Sequence, residues 1–286
     1  MSANLCGQKW GDAWTVKTLW RHLELPTKAI MENRHGQHTK YLETMTRESG
    51  HAVEAEMPRA DDWTEADVQK DVPMIVGRMV GKMIIGSQVG RSPQWLDLAQ
   101  HFTKDIISAA ITMRLFPAWM HPLVTNLIPQ RWRIRKRLAG AVKITDPYLA
   151  RYEEATKHRA QDGPEAEEQD VTMMAWMLDN GPDRKYVLDN LPTLMVNLLI
   201  PSVHTTAMAI STVLFHLCEH PEWDEKLWKE IADVNSELGP IGERVPVKDW
   251  VAKLDLLDSF INESQRFSQP LTSKPRLPSH SCEQKH

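Results

Sequence analysis

The chain has 286 residues, 42% hydrophobic and 25% charged, which allows a sizeable core and excludes the disordered and collagen-like classes. Lys and Arg number 34 against 38 Asp and Glu, so the net charge of −4 supplies no bulk basic field for nucleic acid. Three cysteines, Cys6, Cys218 and Cys282, are too scattered for a disulfide framework and fit a reducing compartment.

Strand signals are scarce and long segments repeat at three and four, which predicts a mostly helical chain without internal repeats. No secretory signal opens it, and no window reaches the roughly 18 apolar residues of a membrane span. Residues 1–60 are the least legible. Trp10, Trp14 and Trp20 suit a helix, but Asn33 to Gly50 is polar and irregular, and residues 1–60 are expected to be poorly packed or partly disordered. Asp62-Trp63-Thr64-Glu65 then reads as a helix start, followed by Val68, Val72, Ile75, Val76, Met79 and Val80 at helical spacing despite Pro73. Gly77 and Gly81, one turn apart, would let another helix come close.

Residues 95–129 form a second apolar stretch, ending near Leu115-Phe116-Pro117-Ala118-Trp119-Met120. Arg131-Trp132-Arg133-Ile134-Arg135-Lys136-Arg137 follows directly. The segment from Leu115 to Arg137 reads either as a buried helix and a solvated helix start, or as an apolar wedge beside a cationic collar suited to anionic lipid headgroups. Gln161 to Asp170 is an acidic loop, a short helix covers Val171 to Leu178, and Asn180-Gly181-Pro182-Asp183 breaks the chain.

Val187 to Cys218 reads as one long helix. Leu188, Leu191, Met195, Leu198, Ser202, Thr205 and Ala209 share a face that is large and apolar, then abruptly small and hydroxylic. A second stripe carries Asn190, Thr193, Asn197, His204 and Ser211. Pro201 has no N–H for the Asn197 carbonyl, so a kink and a groove are expected within a turn of Thr205. Further on, Glu263 and Arg266 stand three apart on a probable helix and meet on one face.

The order of these segments resembles the cytochrome P450 family, and most of all its filamentous-fungal members of secondary metabolism. Pro201-Ser202-Val203-His204-Thr205-Thr206 is similar to the I-helix turn, usually Ala/Gly-Gly-x-Asp/Glu-Thr-Thr. Glu219-His220-Pro221-Glu222-Trp223 and the helix with Leu227 and Ile231 are similar to the J region. Leu257-Asp258-Ser259-Phe260-Ile261-Asn262-Glu263-Ser264-Gln265-Arg266 resembles the K helix. The resemblance covers roughly 60–277. It implies a mainly α, partial P450 fold (helices D to K) lacking the N-terminal anchor and the C-terminal haem-thiolate region. The division expected is a poorly defined segment 1–60, a helical domain 61–277 and a polar tail 278–286.

The resemblance implies a haem monooxygenase that oxidises an apolar natural product, a terpenoid or polyketide, with NADPH-P450 reductase as electron donor. It places such an enzyme at the cytoplasmic face of the endoplasmic reticulum. Thr205 and His204 match the catalytic proton-delivery positions, with His204 in place of the usual carboxylate. Ser202 takes the usual Gly position beside the haem, and Arg276 matches a residue that contacts a haem propionate through its fork of donors. Glu263 and Arg266 match a buried structural pair. The loop Phe-x-x-Gly-x-x-x-Cys-x-Gly, which carries the haem thiolate in the family, has no counterpart, and Cys282 lacks its context. A truncated enzyme is therefore expected. The alternative is a non-catalytic helical membrane-surface or interaction module. A metal site built from His280, Cys282 and His286, or from His35-Gly36-Gln37-His38, is a weaker reading, and no metal is expected.

Overall fold

A computed structural model describes residues 23–36, 38–57, 65–162 and 172–268 of the chain. Among these residues every regular element is helical. The order is α1 (Glu24–Gly36), α2 (His38–Glu56), α3 (Val68–Ile85), the single turn α4 (Ser87–Gly90) and α5 (Pro93–Arg114). A 3₁₀ turn at Ala118–Met120, α6 (His121–Leu127), α7 (Pro129–Asp162), α8 (Met173–Asn180) and α9 (Arg184–Glu219) follow. The last elements are a 3₁₀ turn at Pro221–Trp223, α10 (Asp224–Leu238), α11 (Val247–Val251) and α12 (Asp255–Phe267).

The expectation of poor packing over residues 1–60 is corrected for the described part, 23–36 and 38–57. Helices α1 and α2 form there and bury Leu25, Ala29, Tyr41 and Ala52. Polar composition hid them because α2 is tied down by charge: Arg91 donates to buried Glu48 through Nε at 2.8 Å and Nη2 at 2.5 Å. Arg78 Nε and Nη2 both reach one oxygen of Glu56, Oε1, at 2.7 and 2.6 Å. The start of α3 also lies later than expected. Its cap is Asp67, whose carboxylate accepts from the N–H groups of Gln69 and Lys70, while Asp62, Trp63 and Thr64 lie outside the described residues.

The main core gathers around α9. Leu191, Leu194, Met195, Leu198 and Leu199 are fully buried, and Trp95, Phe102, Met113, Ile134 and Met177 come to meet them from α5, α7 and α8. Trp95 anchors α5 on α3 by donating its indole N–H to the Gly77 carbonyl at 2.9 Å. Gly81 lets α4 touch α3, since a Cβ there would lie 2.7 Å from Gly90 Cα and 2.5 Å from Trp95 Nε1. Asp183 caps α9 by accepting from the Lys185 N–H at 2.9 Å.

A second, smaller core of Val234, Trp250 and Leu254 joins α10 to α11. Glu230 of α10 fixes the start of α12, accepting from the backbone N–H groups of Leu256 at 2.7 Å and Leu257 at 3.0 Å. These are orphan donors of a helix terminus, satisfied here by a neighbouring helix.

By length and composition only, α9 is long and apolar enough to cross a membrane, with a window of mean hydropathy 1.6. The sequence reading missed this because it sought an unbroken apolar run, whereas mean hydropathy tolerates Ser, Thr and His within it. Only 22% of that window is buried; the buried residues of α9 gather in its N-terminal half, at the centre of the core.

Candidate functional site

Helix α9 runs unbroken from Arg184 to Glu219 through Pro192 and Pro201. The expected opening at Pro201 is not found. A proline inside a helix costs about 3 kcal/mol, and the burial of Leu198, Leu199 and Val203 around it offsets that cost. The change along the predicted stripe is present: Leu191, Met195 and Leu198 are buried, Ser202 is half-buried and Thr205 is exposed. Pro201, Thr206 and Met208 are exposed with it. The C-terminal half of α9 thus presents a small-residue, hydroxyl-bearing face outward.

Both hydroxyls on that face fold back onto the helix. Ser202 Oγ donates to the Leu198 carbonyl at 2.6 Å, and Thr205 Oγ1 donates to the Pro201 carbonyl. Such bonds to the preceding turn occupy the hydroxyl proton and leave the oxygen lone pairs facing away. Thr205 lines none of the clefts described here.

His204 points elsewhere. Its ring is half-buried among residues of α5, and its Nε2 atom is buried without a hydrogen-bond partner among the described residues. Burial lowers its pKa, the charges of Lys104 and His101 push the same way, and a backbone contact at Gln100 opposes them. The imidazole is therefore neutral at neutral pH and able to accept a proton. The α5 environment was missed in the sequence, though Asp97, His101, Lys104 and Asp105 share one polar stripe at helical spacing that marks it.

Glu263 and Arg266 meet as predicted, Arg266 Nε donating to Oε2 at 2.7 Å and Nη2 to Oε1 at 2.5 Å. The burial implied by the resemblance is corrected: the two side chains are 53% and 63% exposed. The hydrogen bond from Arg266 and its charge lower the carboxyl pKa of Glu263. Beside the pair, a cleft of about 440 Å³ opens between α9 and α12, lined by His216, Trp223, Phe260 and Phe267 among others. The rings make an aromatic wall, with Trp223 and Phe260 centred 6.0 Å apart. Arg276, Cys6, Cys282 and His280 lie outside the described residues, as do the side chains of His35 and His38.

The join of α5 and α7 exposes large apolar side chains. Leu115, Trp119, Leu123, Leu127 and Trp132 are 63–78% exposed. The cationic collar is less free than expected. Arg133 Nε and Arg137 Nε both donate to Asp105 of α5, at 2.7 and 2.8 Å, and Arg137 also pairs with Asp97.

A family model described as Cytochrome P450 matches residues 17–284. The cytochrome P450 monooxygenase sdnB of Sordaria araneosa is 61% identical over 267 residues, 93% of this chain and 49% of that protein. The cytochrome P450 monooxygenase ATR4 of Stachybotrys chlorohalonatus is 32% identical over 266 residues, 92% of this chain and 49% of that protein. An ent-kaurene oxidase of Fusarium fujikuroi is 24% identical over 247 residues, 86% of this chain and 43% of that protein. The chain belongs to the cytochrome P450 family. It spans about half the length of the curated relatives it matches.

The family's cofactor is haem. The described residues fit one wall of such a site, the outward face of α9 around Ser202 and Thr205. They do not fit its iron. The one described thiol, Cys218, is exposed and lies roughly 20 Å along the helix axis from Thr205, too far to ligate a metal over it. Among the described residues no group of three or more His, Cys, Asp or Glu side chains is placed to hold a metal.

Proposed function

We propose that this chain supplies the helical wall above the haem of a P450 monooxygenase that oxidises an apolar small molecule of terpenoid or polyketide type. The observation that carries the reading is the face of α9 on which Ser202 and Thr205 stand outward, on a helix whose other face is the centre of the core. Thr205 is the proton-delivering hydroxyl and His204 the neutral base behind it, a role supported by the unpartnered Nε2 and the lowered pKa. Ser202 borders the cofactor, Arg276 binds a propionate, and Glu263 with Arg266 forms a structural pair. The same reading divides the chain into a segment 1–60, a helical domain 61–277 and a polar tail 278–286.

The electron donor in this reading is NADPH-P450 reductase, and the protein works at the endoplasmic reticulum. The exposed wedge from Leu115 to Leu127, with Trp132, rests on the membrane surface there, its apolar side chains in the interfacial layer. The non-catalytic alternative is not favoured, since the Sordaria and Stachybotrys relatives carry monooxygenase names.

The test mixes the purified chain with the half of the Sordaria relative that the match does not include, and adds haem. Expected is the red-shifted reduced carbonyl spectrum of thiolate-ligated haem, with NADPH consumption coupled to substrate oxidation. Thr205→Ala is expected to uncouple the two. No haem spectrum in the mixture, or full coupling without Thr205, would overturn the assignment.

A further inference from the structure

A cleft of about 570 Å³ lies between the first turns of α5 and the middle of α7. Its α7 side carries Arg133, Lys136, Arg137, Gly140 and Lys143, steps of three and four that set them on one face. The charges on that face are not equivalent. Arg133 and Arg137 are held by Asp105, and Arg137 by Asp97 as well. Lys136 and Lys143, two turns apart and both exposed, have no acidic partner among the described residues. Asp97 also lines the cleft, but its carboxylate is already engaged by Arg137 and His101.

Between the two lysines the floor is Gly140. A Cβ built there meets nothing within 4 Å. No close approach of another helix requires this glycine, and in a helix interior it costs about 1 kcal/mol relative to Ala. What it does is keep the floor open between two uncompensated cations. Pro93, Leu98 and Ile144 give the cleft apolar walls. Trp132, one turn before Lys136 on the same helix face, is exposed but does not line the cleft.

We propose that this cleft binds a phosphate monoester, the head of an anionic amphiphile of the phosphatidic acid type. Lys136 and Lys143 take the phosphate between them over Gly140, and the apolar walls take the start of the chain. Lysine ammonium groups bind a compact, multiply charged phosphate as point charges. The proposal rests on the membrane-surface reading of the neighbouring wedge and makes it specific for a lipid class.

Two measurements on the full chain separate them. Vesicle flotation with phosphatidylcholine, alone or mixed with phosphatidic acid, tests the wedge: Trp119→Ala with Leu123→Ala is expected to abolish binding to both. Calorimetric titration with monomeric dihexanoyl phosphatidic acid tests the cleft without any membrane. One saturable site is expected, weakened at least tenfold by Lys136→Glu with Lys143→Glu. Gly140→Trp, which fills the floor without changing charge, is expected to weaken it as much, while Lys253→Glu leaves it unchanged. Circular dichroism melts check that the variants fold, and the lysine pair stands as the test if the tryptophan variant does not. Inorganic phosphate binding as tightly as the lipid would overturn the amphiphile. Binding to the dihexanoyl phosphatidylcholine monomer as tightly, or survival of binding in the double lysine variant, would overturn the site. Loss of flotation with the titration intact would overturn the wedge alone.

Discussion

Replacing Asp105 with Asn keeps its shape and removes the charge that two arginines share. The carboxylate is 10% exposed and accepts from Arg133 Nε and Arg137 Nε, so it clamps α5 to α7. Breaking a buried ion pair from one side costs about 3–5 kcal/mol, because a charge is left without its partner. Here the loss is smaller: Arg133 is 47% exposed and returns to water, while Arg137, 18% exposed, keeps Asp97. What remains is one half-buried guanidinium short of a charge-assisted bond, about 2–3 kcal/mol. Urea unfolding followed by far-UV circular dichroism at neutral pH should show that difference.

The same variant has a pH signature. Burial alone raises the Asp105 pKa, but the hydrogen bonds and charges of Arg137 and Arg133 outweigh it and hold the carboxyl below its ordinary value. A carboxyl depressed in the folded state stabilises fully above its unfolded value, about 3.9, and the contribution fades as pH falls through the folded value. The gap between wild type and Asp105→Asn is therefore expected to be constant from neutral pH down to about 4 and to narrow below it. A variant within about half a kcal/mol of wild type at neutral pH would refute the clamp, since that is the range of ordinary surface substitutions. A gap that does not narrow in acid would refute the assignment of the charge.

Other expectations follow from named contacts. Gly81→Ala places a Cβ 2.5 Å from Trp95 Nε1 and 2.7 Å from Gly90 Cα, and should lower stability by about 1–3 kcal/mol in thermal melts. Gly140→Ala, in open space, should raise it by up to about 1 kcal/mol, and equal effects at the two sites would sink the packing argument. His204→Gln should flatten stability against pH: the lowered pKa means the unfolded chain takes up the proton first, so the histidine's contribution is present above about 6.5 and lost as pH falls below it. An unchanged slope there would show that His204 is not held neutral. Glu230→Ala removes the acceptor for the Leu256 and Leu257 N–H groups and should cost about 0.5–2 kcal/mol, with faster amide exchange confined to the start of α12.

Periodicity made the long helix legible, because Leu191, Met195 and Leu198 pack on one side and their spacing records that side. The Asp183 cap sits where the Asn-Gly-Pro-Asp break ends, so local chemistry and tertiary structure agree. Helix α2 was illegible for the opposite reason. Its hold on the fold comes from Glu48 and Glu56 reaching arginines beyond it in the chain, and no short-range pattern encodes a partner 43 residues away. Pro201 misled as a break because propensity is local, whereas the burial that keeps the helix continuous through it is not. The half-buried place of His204 was equally hidden, since it depends on which face of α5 the core chose.

Of the 11 tryptophans, against 5 Phe and 4 Tyr, four fall on two sides of a physical line. Trp95 and Trp250 are buried, and each donates its indole N–H to a glycine carbonyl at 2.9 Å, Gly77 and Gly239 respectively. A glycine offers its carbonyl without a side chain in the way, so the ring can bury its apolar body and still satisfy its one donor. Trp119 and Trp132 are 78% and 64% exposed, flanking α6, with Leu115, Leu123 and Leu127 exposed beside them. Exposing rings that large costs a soluble chain apolar area with no return, about 25 cal/mol per Å². At a membrane interface the same rings find an apolar layer for the body and a wet one for the N–H. Such a placement beside Lys136 and Lys143 puts an anchor and a headgroup clamp on a single helix face, and it requires α7 to lie along the surface rather than stand upright from it.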